Sequence, residues 1–241
     1  MGSYVLLASD VDFMIHGVFK YHLFGQTLWI TTTHVCTLIV MLALIIFGIV
    51  VNVKIKKVSP EDTPTGVLLV SEMMVETLDN LVKNTMGDKH YRKFVNYIGT
   101  IFAFILLSNI AGIFGLRSPT ADYGVTFPLA VITFCLIHYN QFKYQKLKGV
   151  IAGLCDPWPI WMPINIVSDL AVPVSLSLRL FANVLSGTAI MALIYALLGK
   201  IAIIWPAALH IYFDLFSGAI QTYVFCMLTM TYVTQSFGDD N

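Results

Sequence analysis

Charge is the scarcest ingredient of this 241-residue chain, with only 12% of residues being Asp, Glu, Lys or Arg, about half the density of an average soluble domain. Fourteen basic residues balance fourteen acidic ones, so no net field exists to recruit nucleic acid. Cysteine is scarce as well. Cys36, Cys135, Cys155 and Cys226 are widely scattered, and without a CxxC pair they suggest neither zinc nor redox work. They read as apolar filler. The opening residues, MGSYVLLASDVDF, lack the basic flank of a signal peptide and carry Asp10 and Asp12, so the chain is read as mature from Met1. It also lacks a phosphate-binding glycine loop. Without an internal repeat, a low-complexity tract or a dividing linker, residues 1–241 are expected to form a single membrane domain.

What is abundant is apolar surface. Apolar and aromatic residues make up 57% of the chain, and the mean hydropathy is +0.78. A helix needs about 20 apolar residues to cross a bilayer. Leu28 to Val53 supplies them before Lys54, Lys56 and Lys57; further spans are expected from Phe94 to Leu116 and from Tyr123 to Phe142, with the turn SPTADYG between. Two longer runs follow, Asn165 to Gly199 and Ile201 to Phe237. Each exceeds one perpendicular crossing, which strong tilt or a course partly along the membrane plane accommodates. Residues 66–86 differ: Val67, Val70, Met74, Leu78 and Leu81 share one helical face and Glu72, Glu76, Asp79 and Lys83 the opposite one, the pattern of an amphipathic surface helix. If the spans alternate, Lys54, Lys56, Lys57, Lys83, Lys89, Arg92, Lys93, Lys143, Lys146 and Lys148 share one side, against Lys20, Arg117 and Lys200. The positive-inside rule then puts the N-terminal segment 1–27 outside and the C-terminus in the cytoplasm. The fold class is therefore all-α and polytopic, with five membrane-embedded helices and one interfacial helix; the last two spans, 165–237, form a long, tilted or near-horizontal hairpin.

Against that background a few residues are misplaced. Arg179 lies inside the fourth span, where an arginine costs about 2.5 to 3.5 kcal/mol on insertion scales and cannot escape by losing its proton. Asn183 and Ser186 follow at helical spacing and bring no negative charge. In the last span Asp214, Gly218 and Gln221 share one face, so a helical hairpin could bring Gln221 to Arg179 and orient it without neutralising it. That leaves Arg179 available to a carboxylate on another chain. His34, His138 and His210 sit in or beside apolar runs, but no HxxxH or HxxE spacing sets two ligands on one helical turn, so no metal site is expected. His138 and His210 remain candidates for lining a water path.

The segment PVSLSLRLFANVLSG, Pro173 to Gly187, resembles the arginine helix of subunit a of the rotary F-type ATP synthases, the stator part of the membrane sector. LVKNTMG at the end of the surface helix, the SPTAD turn, PINIVSDL before the arginine helix and SGAIQTYVF in the last helix agree in order. The resemblance covers nearly the whole chain from the first span, and its strength lies in the combination. Position by position it implies that Arg179 is the essential arginine, Asn183 the asparagine one turn on, Gln221 the glutamine facing the arginine, and Asp169 an acid before the proline. Two positions depart. Thr188 stands where many members have a glutamate, and Asp214 where they have a histidine, which reads as a relocated carboxylate. Val172 replaces a commoner polar residue, and nothing in the sequence explains it.

The resemblance further implies a partner ring of small c subunits, each with one membrane-embedded carboxylate, a peripheral-stalk b subunit and a separate catalytic head. Two offset half-channels would feed the ring, the outer one past Asp214 and the cytoplasmic one near Asp169, with Arg179 between. Asp122, His138, Ser186, Thr188, His210 and Gly218 are candidates for lining them. The chain would then be a translocation subunit of a bacterial inner membrane, without a catalytic site or cofactor of its own. The rival reading is a secondary transporter with Arg179 binding an anionic substrate, but the two related halves common in such folds are absent.

Overall fold

Buried hydroxyls and amides share the interior of this chain with its apolar core, while many large apolar side chains face outward. In the computed structural model, which describes residues 17–23, 26–58, 66–114, 116–145, 149–150, 153–155, 158–198, 209 and 211–237, Thr33, Ser108, Asn109, Thr120, Thr126, Thr133, Ser177, Thr222 and Thr229 are buried, while Leu38, Ile45, Ile46, Ile49, Ile132 and Leu193 stand exposed. Hydrocarbon offers no hydrophobic drive between helices, so spans associate through close packing and hydrogen bonds. Among the described residues five helical stretches are long and apolar enough to cross a membrane: Thr32–Ile55, Tyr91–Phe114, Tyr123–Tyr144, Pro159–Ile194 and Ile211–Gln235.

Among the described residues the body is built from α1 (Thr32–Ile55), α2 (Val67–Met86), α3 (Tyr91–Ile110), α4 (Tyr123–Tyr144), α5 (Met162–Leu198) and α6 (Gly218–Gln235). A π-helical stretch, Ile211–Ser217, leads into α6, and a 3-10 turn at Pro119–Ala121 precedes α4. The polytopic helical body is the one expected. Its N-terminal approach is not helical, however. β1 (Gly17–Leu23) and β2 (Gln26–Thr31) pair as an antiparallel hairpin, with Lys20 Nζ 4.3 Å from the Trp29 ring centre. The first span therefore begins at Thr32, four residues later than its hydropathy suggests, because Leu28 to Thr31 are held in the sheet ladder. Part of the final expected span, residues 201–208 and His210, lies outside the described residues.

Helix α6 is the centre of the bundle. Phe225, Cys226, Met230 and Val233 are fully buried and join Ile98 and Ile105 of α3, Val82 of α2, Ala130 of α4 and Leu176 and Leu180 of α5 in one cluster. Helix α2 folds back along α3 as a helical hairpin. A Cβ on Gly99 would lie 3.8 Å from Leu78 Cδ1, and Glu72, Glu76 and Lys83 of α2 stay exposed while Asp79 is half-buried. At the hairpin turn Lys83 pairs with Asp88 at 3.0 Å, both side chains open to solvent; the hydrogen bond to Asp88 and then its charge raise the lysine pKa. Asp122 caps α4, its Oδ1 accepting from the Gly124 N–H at 2.8 Å, which satisfies one of the orphan donors of that terminus.

The α2 to α3 turn depends on Gly87, whose φ of +75° and ψ of 165° belong to a region open only to glycine, at about 1 to 3 kcal/mol for any other residue. Gly87→Ala is expected to lower the thermal midpoint of the purified protein in detergent. Gly48→Ala should leave it unchanged or raise it, since a methyl group there meets nothing within 4 Å and alanine is the better helix former by about 1 kcal/mol.

Candidate functional site

Helix α5 has a sharply two-sided surface. Pro173, Leu176, Ser177, Leu180, Gly187 and Met191 are buried against the bundle, whereas Val174, Ser175, Leu178, Arg179, Ala182, Leu185 and Ser186 recur at helical spacing on the exposed side. Arg179 is thus held at the surface by the rows beneath it. Among the described residues no ion pair reaches its guanidinium. The small Ser175, Ala182 and Ser186 flank it, and residues of that size allow close approach of another helix. Ser186 Oγ donates to the Ala182 carbonyl and Thr188 Oγ1 to that of Leu185 at 2.9 Å, so both hydroxyls are engaged by their own helix.

On the C-terminal side of Arg179, α5 meets the π-helical stretch. A π-turn widens the helix by one residue and often marks a functional position. Ser217 Oγ donates to Asn183 Oδ1 at 3.0 Å, and Phe213 packs on Gly187, with a Cβ there 3.6 Å away. Half-buried Asp214 lies between this contact and α3. Its carboxylate atoms stand 3.1 to 3.2 Å from where a Cβ on Gly112 would be, so the missing side chain at 112 leaves room for it. Asn109 extends the polar region. Its Nδ2 donates to the Gly218 carbonyl at 3.1 Å and to Thr222 Oγ1 at 3.4 Å, while its Oδ1 accepts from Thr120 Oγ1 at 2.7 Å. Ser118 Oγ stands 2.7 Å from Thr120 Oγ1 and donates to the Ser108 carbonyl at 2.8 Å. Asp214, Asn183 and Gly218 are therefore brought to one region, walled by polar residues of three elements.

On the N-terminal side of Arg179 a second polar space opens, a cavity of about 490 Å³ whose lining includes His138 and Gln141 of α4, Gln145 just after it, and Asn165, Ser168 and Asp169 of α5. Pro173 has no N–H to give the Asp169 carbonyl four residues earlier, which adds a polar group beside the cavity. His138 Nδ1 lies 3.1 Å from the Phe134 carbonyl; donation there directs the acceptor character to Nε2. Asn165 Nδ2 donates to the Leu154 carbonyl at 2.9 Å, and Gln145 Nε2 to that of Ser236 at 3.1 Å, fixing the walls to the preceding turn and to the end of α6.

The residues singled out from sequence thus separate into three places: Arg179 on the open face, Asp214 with Asn183 and Gly218 beyond it, and Asp169 with His138 before it. Gln221 does not join Arg179. Its side chain is turned inward at 9% exposure, and its Nε2 finds no partner among the described residues. Asp122 serves as a helix cap. Sequence reasoning passed over Asn109, Gly112, Ser118, Thr120 and Thr222, and also Gln141, Asn165 and Ser168. Asn109 alone carried a signal, an amide near the end of an otherwise apolar run.

Comparison with known proteins gives a family match over residues 34–234, to the ATP synthase A chain. The chain is 38% identical over 178 residues to a Propionigenium modestum protein named ATP synthase subunit a, sodium ion specific, an alignment covering 67% of this chain. It is 32% identical over 234 residues, 86% of its length, to ATP synthase subunit a of Mycoplasmoides gallisepticum. A chloroplast subunit a from Stigeoclonium helveticum is 32% identical over 206 residues, 81% of this chain. The chain spans 60% of the length of the Propionigenium protein, 78% of the Mycoplasmoides one and 80% of the chloroplast one.

The Asn109 network tests the packing that surrounds Asp214. A Cβ on Gly218 would stand 2.8 Å from Asn109 Cβ, closer than any real contact, so Gly218→Ala should cost about 1 to 3 kcal/mol through overpacking and lower the thermal midpoint. Adding Asn109→Gly, which removes the clashing Cβ, should lower it by less than the two single changes combined, since both act on one contact.

Proposed function

The chain belongs to the ATP synthase A chain family, and from that premise we propose that it is the stationary ion-translocating subunit of an F-type ATP synthase, with Arg179 separating two ion paths. One observation carries this reading: along α5, polar regions lie on both sides of an arginine that its own chain leaves uncovered. Asp169 precedes Arg179 by ten residues, about 15 Å along a helix. Asn183 and the contacts to Ser217 and Phe213 follow within about two turns. The two spaces are thereby offset, as a path that must not run straight through requires.

The open face of α5 is where a ring of small membrane subunits turns against this chain. Each ring subunit presents a carboxylate, and a cation arriving past Asp214, Asn109 and Thr120 neutralises it. Only the neutral site enters lipid, since an ionised carboxylate in hydrocarbon is prohibitively costly. After most of a turn the site reaches the cavity of His138 and Asp169, where the cation leaves. Arg179 then attracts the freed carboxylate. Its charge is permanent, so a cation cannot pass directly from one space to the other. Each charge moving through 100 mV releases about 2.3 kcal/mol, so several must cross for each ATP made on a separate head. With the lysine-rich ends of α1, α3 and α4 on the cytoplasmic side, the His138 space opens to the cytoplasm and the Asp214 space to the outside of a bacterial inner membrane. A peripheral-stalk subunit holds the chain still against the ring.

In vesicles carrying the assembled complex, Arg179→Ala should abolish ATP-driven ion pumping while assembly persists, and Arg179→Lys should also pump poorly because an ammonium lacks the planar fork. Near-normal pumping by Arg179→Ala would refute the assignment. Asp214→Asn should slow transport strongly, whereas Gln221→Leu, which removes hydrogen-bonding groups and no charge, should slow it less; a transport rate indifferent to Asp214→Asn would remove that acid from the path.

A further inference from the structure

The far end of α6 is closed by a cluster of aromatic rings that ion translocation as outlined above does not use. His90, in the turn between α2 and α3, stacks on Phe237 with ring centres 4.1 Å apart and planes 16° from parallel. Tyr144, at the end of α4, sets its edge against both, at 5.5 Å from His90 and 5.0 Å from Phe237. Phe94 adds a fourth ring 5.8 Å from Phe237, and Lys93 Nζ donates to the Tyr144 hydroxyl at 3.1 Å. Phe237 and the neighbouring Ser236 are buried. The residue after Tyr144 is Gln145, whose amide donates to the carbonyl of Ser236 while its side chain walls the Asp169 cavity. The ring cluster and the cavity therefore share one strut.

We propose that His90, Tyr144 and Phe237 form a latch that holds the end of α6 against the wall of the Asp169 cavity, and that protonation of His90 releases it. The proposal rests on the reading of that cavity as the ion exit and adds regulation to it. Among the described residues His90 Nδ1 is buried without a hydrogen-bond partner. A neutral ring tolerates this by carrying its proton on the other nitrogen, but an imidazolium carries both and leaves a charged donor without an acceptor. The surroundings are unfavourable to that charge. Lys89 and Lys93 flank the ring, Tyr144 is engaged by Lys93, and the one nearby carboxylate of the described turn, Asp88, is paired with Lys83. Ser236 and Phe237, just beyond the end of α6, bring no charge. Attraction between an imidazolium and the Phe237 face works the other way, but it does not supply the missing acceptor. Burial first, and then Lys93 and Lys89, hold the imidazole below the ordinary histidine range. A base with a lowered pKa favours the latched state fully above about pH 6.5, and that preference is lost as pH falls through the lowered value. Acidification on the lysine-rich side thus loosens the end of α6 and, through Gln145, the cavity wall.

Spin labels at Asn96 and Gln235, both exposed, read the latch in the assembled complex once Cys135 and Cys155 are replaced by serine. The label separation should be narrow at about pH 8 and broad at about pH 5.5. His90→Phe, which keeps a ring in the stack but cannot titrate, should give the narrow distribution at both. His90→Gln, which loses the ring, should give the broad one at both. ATP-driven transport at about pH 5.5 should be roughly twofold or more slower in the unmodified complex than in His90→Phe. A label separation that ignores pH, or that broadens equally in His90→Phe, overturns the latch, as does transport that falls equally in both. Asp239 and Asp240 follow in the sequence, and their replacement by asparagine should leave the pH response in place; its loss would assign the response to them and overturn the role of His90. Normal pumping by Arg179→Ala would instead refute the translocation reading, and the label measurement would still decide the latch.

Discussion

A permanently charged guanidinium beside hydrocarbon is the constraint from which the rest of the arrangement follows. Arg179 cannot discharge itself, and an unpaired cation in low dielectric is costly enough to demand either water or an opposite charge. The chain does not cover it with a carboxylate of its own among the described residues. Instead α5 buries Leu176, Ser177 and Leu180 on one side and carries Arg179 on the other, so the charge is held out, on a surface of small and apolar side chains. An arginine presented in this way suits the proposed partner, a carboxylate that arrives and departs. A fixed internal partner would abolish that use.

The same logic explains why polar side chains concentrate inside the bundle. In a membrane the contacts between helices must come from packing and hydrogen bonds, and the Asn109 network ties α3, the Pro119–Ala121 turn and α6 together by such bonds. Glycines at 112, 187 and 218 let backbone and polar groups approach closely around Asp214 and Asn183. A region stabilised by hydroxyls and amides, with little apolar filling, can also accept water. On the proposed reading, structural support and ion access draw on one set of residues, which ties the precision of the packing to the course of the path.

Much of this was legible from residue type and spacing alone. The spans announce themselves because about 20 apolar residues have few other uses, and Arg179 stands out because its cost in lipid needs a reason. A helix, α2, does occupy Val67–Met86, where the amphipathic pattern lies, with Ser71, Val82 and Met86 as its buried residues. Other features left no periodic trace. The β-hairpin at Gly17–Thr31 has a strand so apolar that it reads as the beginning of the first span. Gly112, one glycine within an apolar span, and Thr120, in a turn, are ordinary residues until tertiary structure sets them against Asp214 and Asn109. The inward turn of Gln221 depends on which side of α6 meets α5, a rotation that spacing does not determine. The His90, Tyr144 and Phe237 cluster joins residues far apart in sequence, and only the return of α6 to the start of α3 creates it.

The central claim is that the Arg179 face of α5 is the surface on which a ring of membrane subunits turns. A photoreactive residue substituted at Leu178, exposed beside the arginine, tests it most directly when paired with one at the buried Leu176. In the assembled complex the residue at 178 should capture a small, very apolar subunit present in many copies, and the residue at 176 should capture only this chain. Capture from position 178 of lipid alone, or of nothing but this chain, would contradict the account.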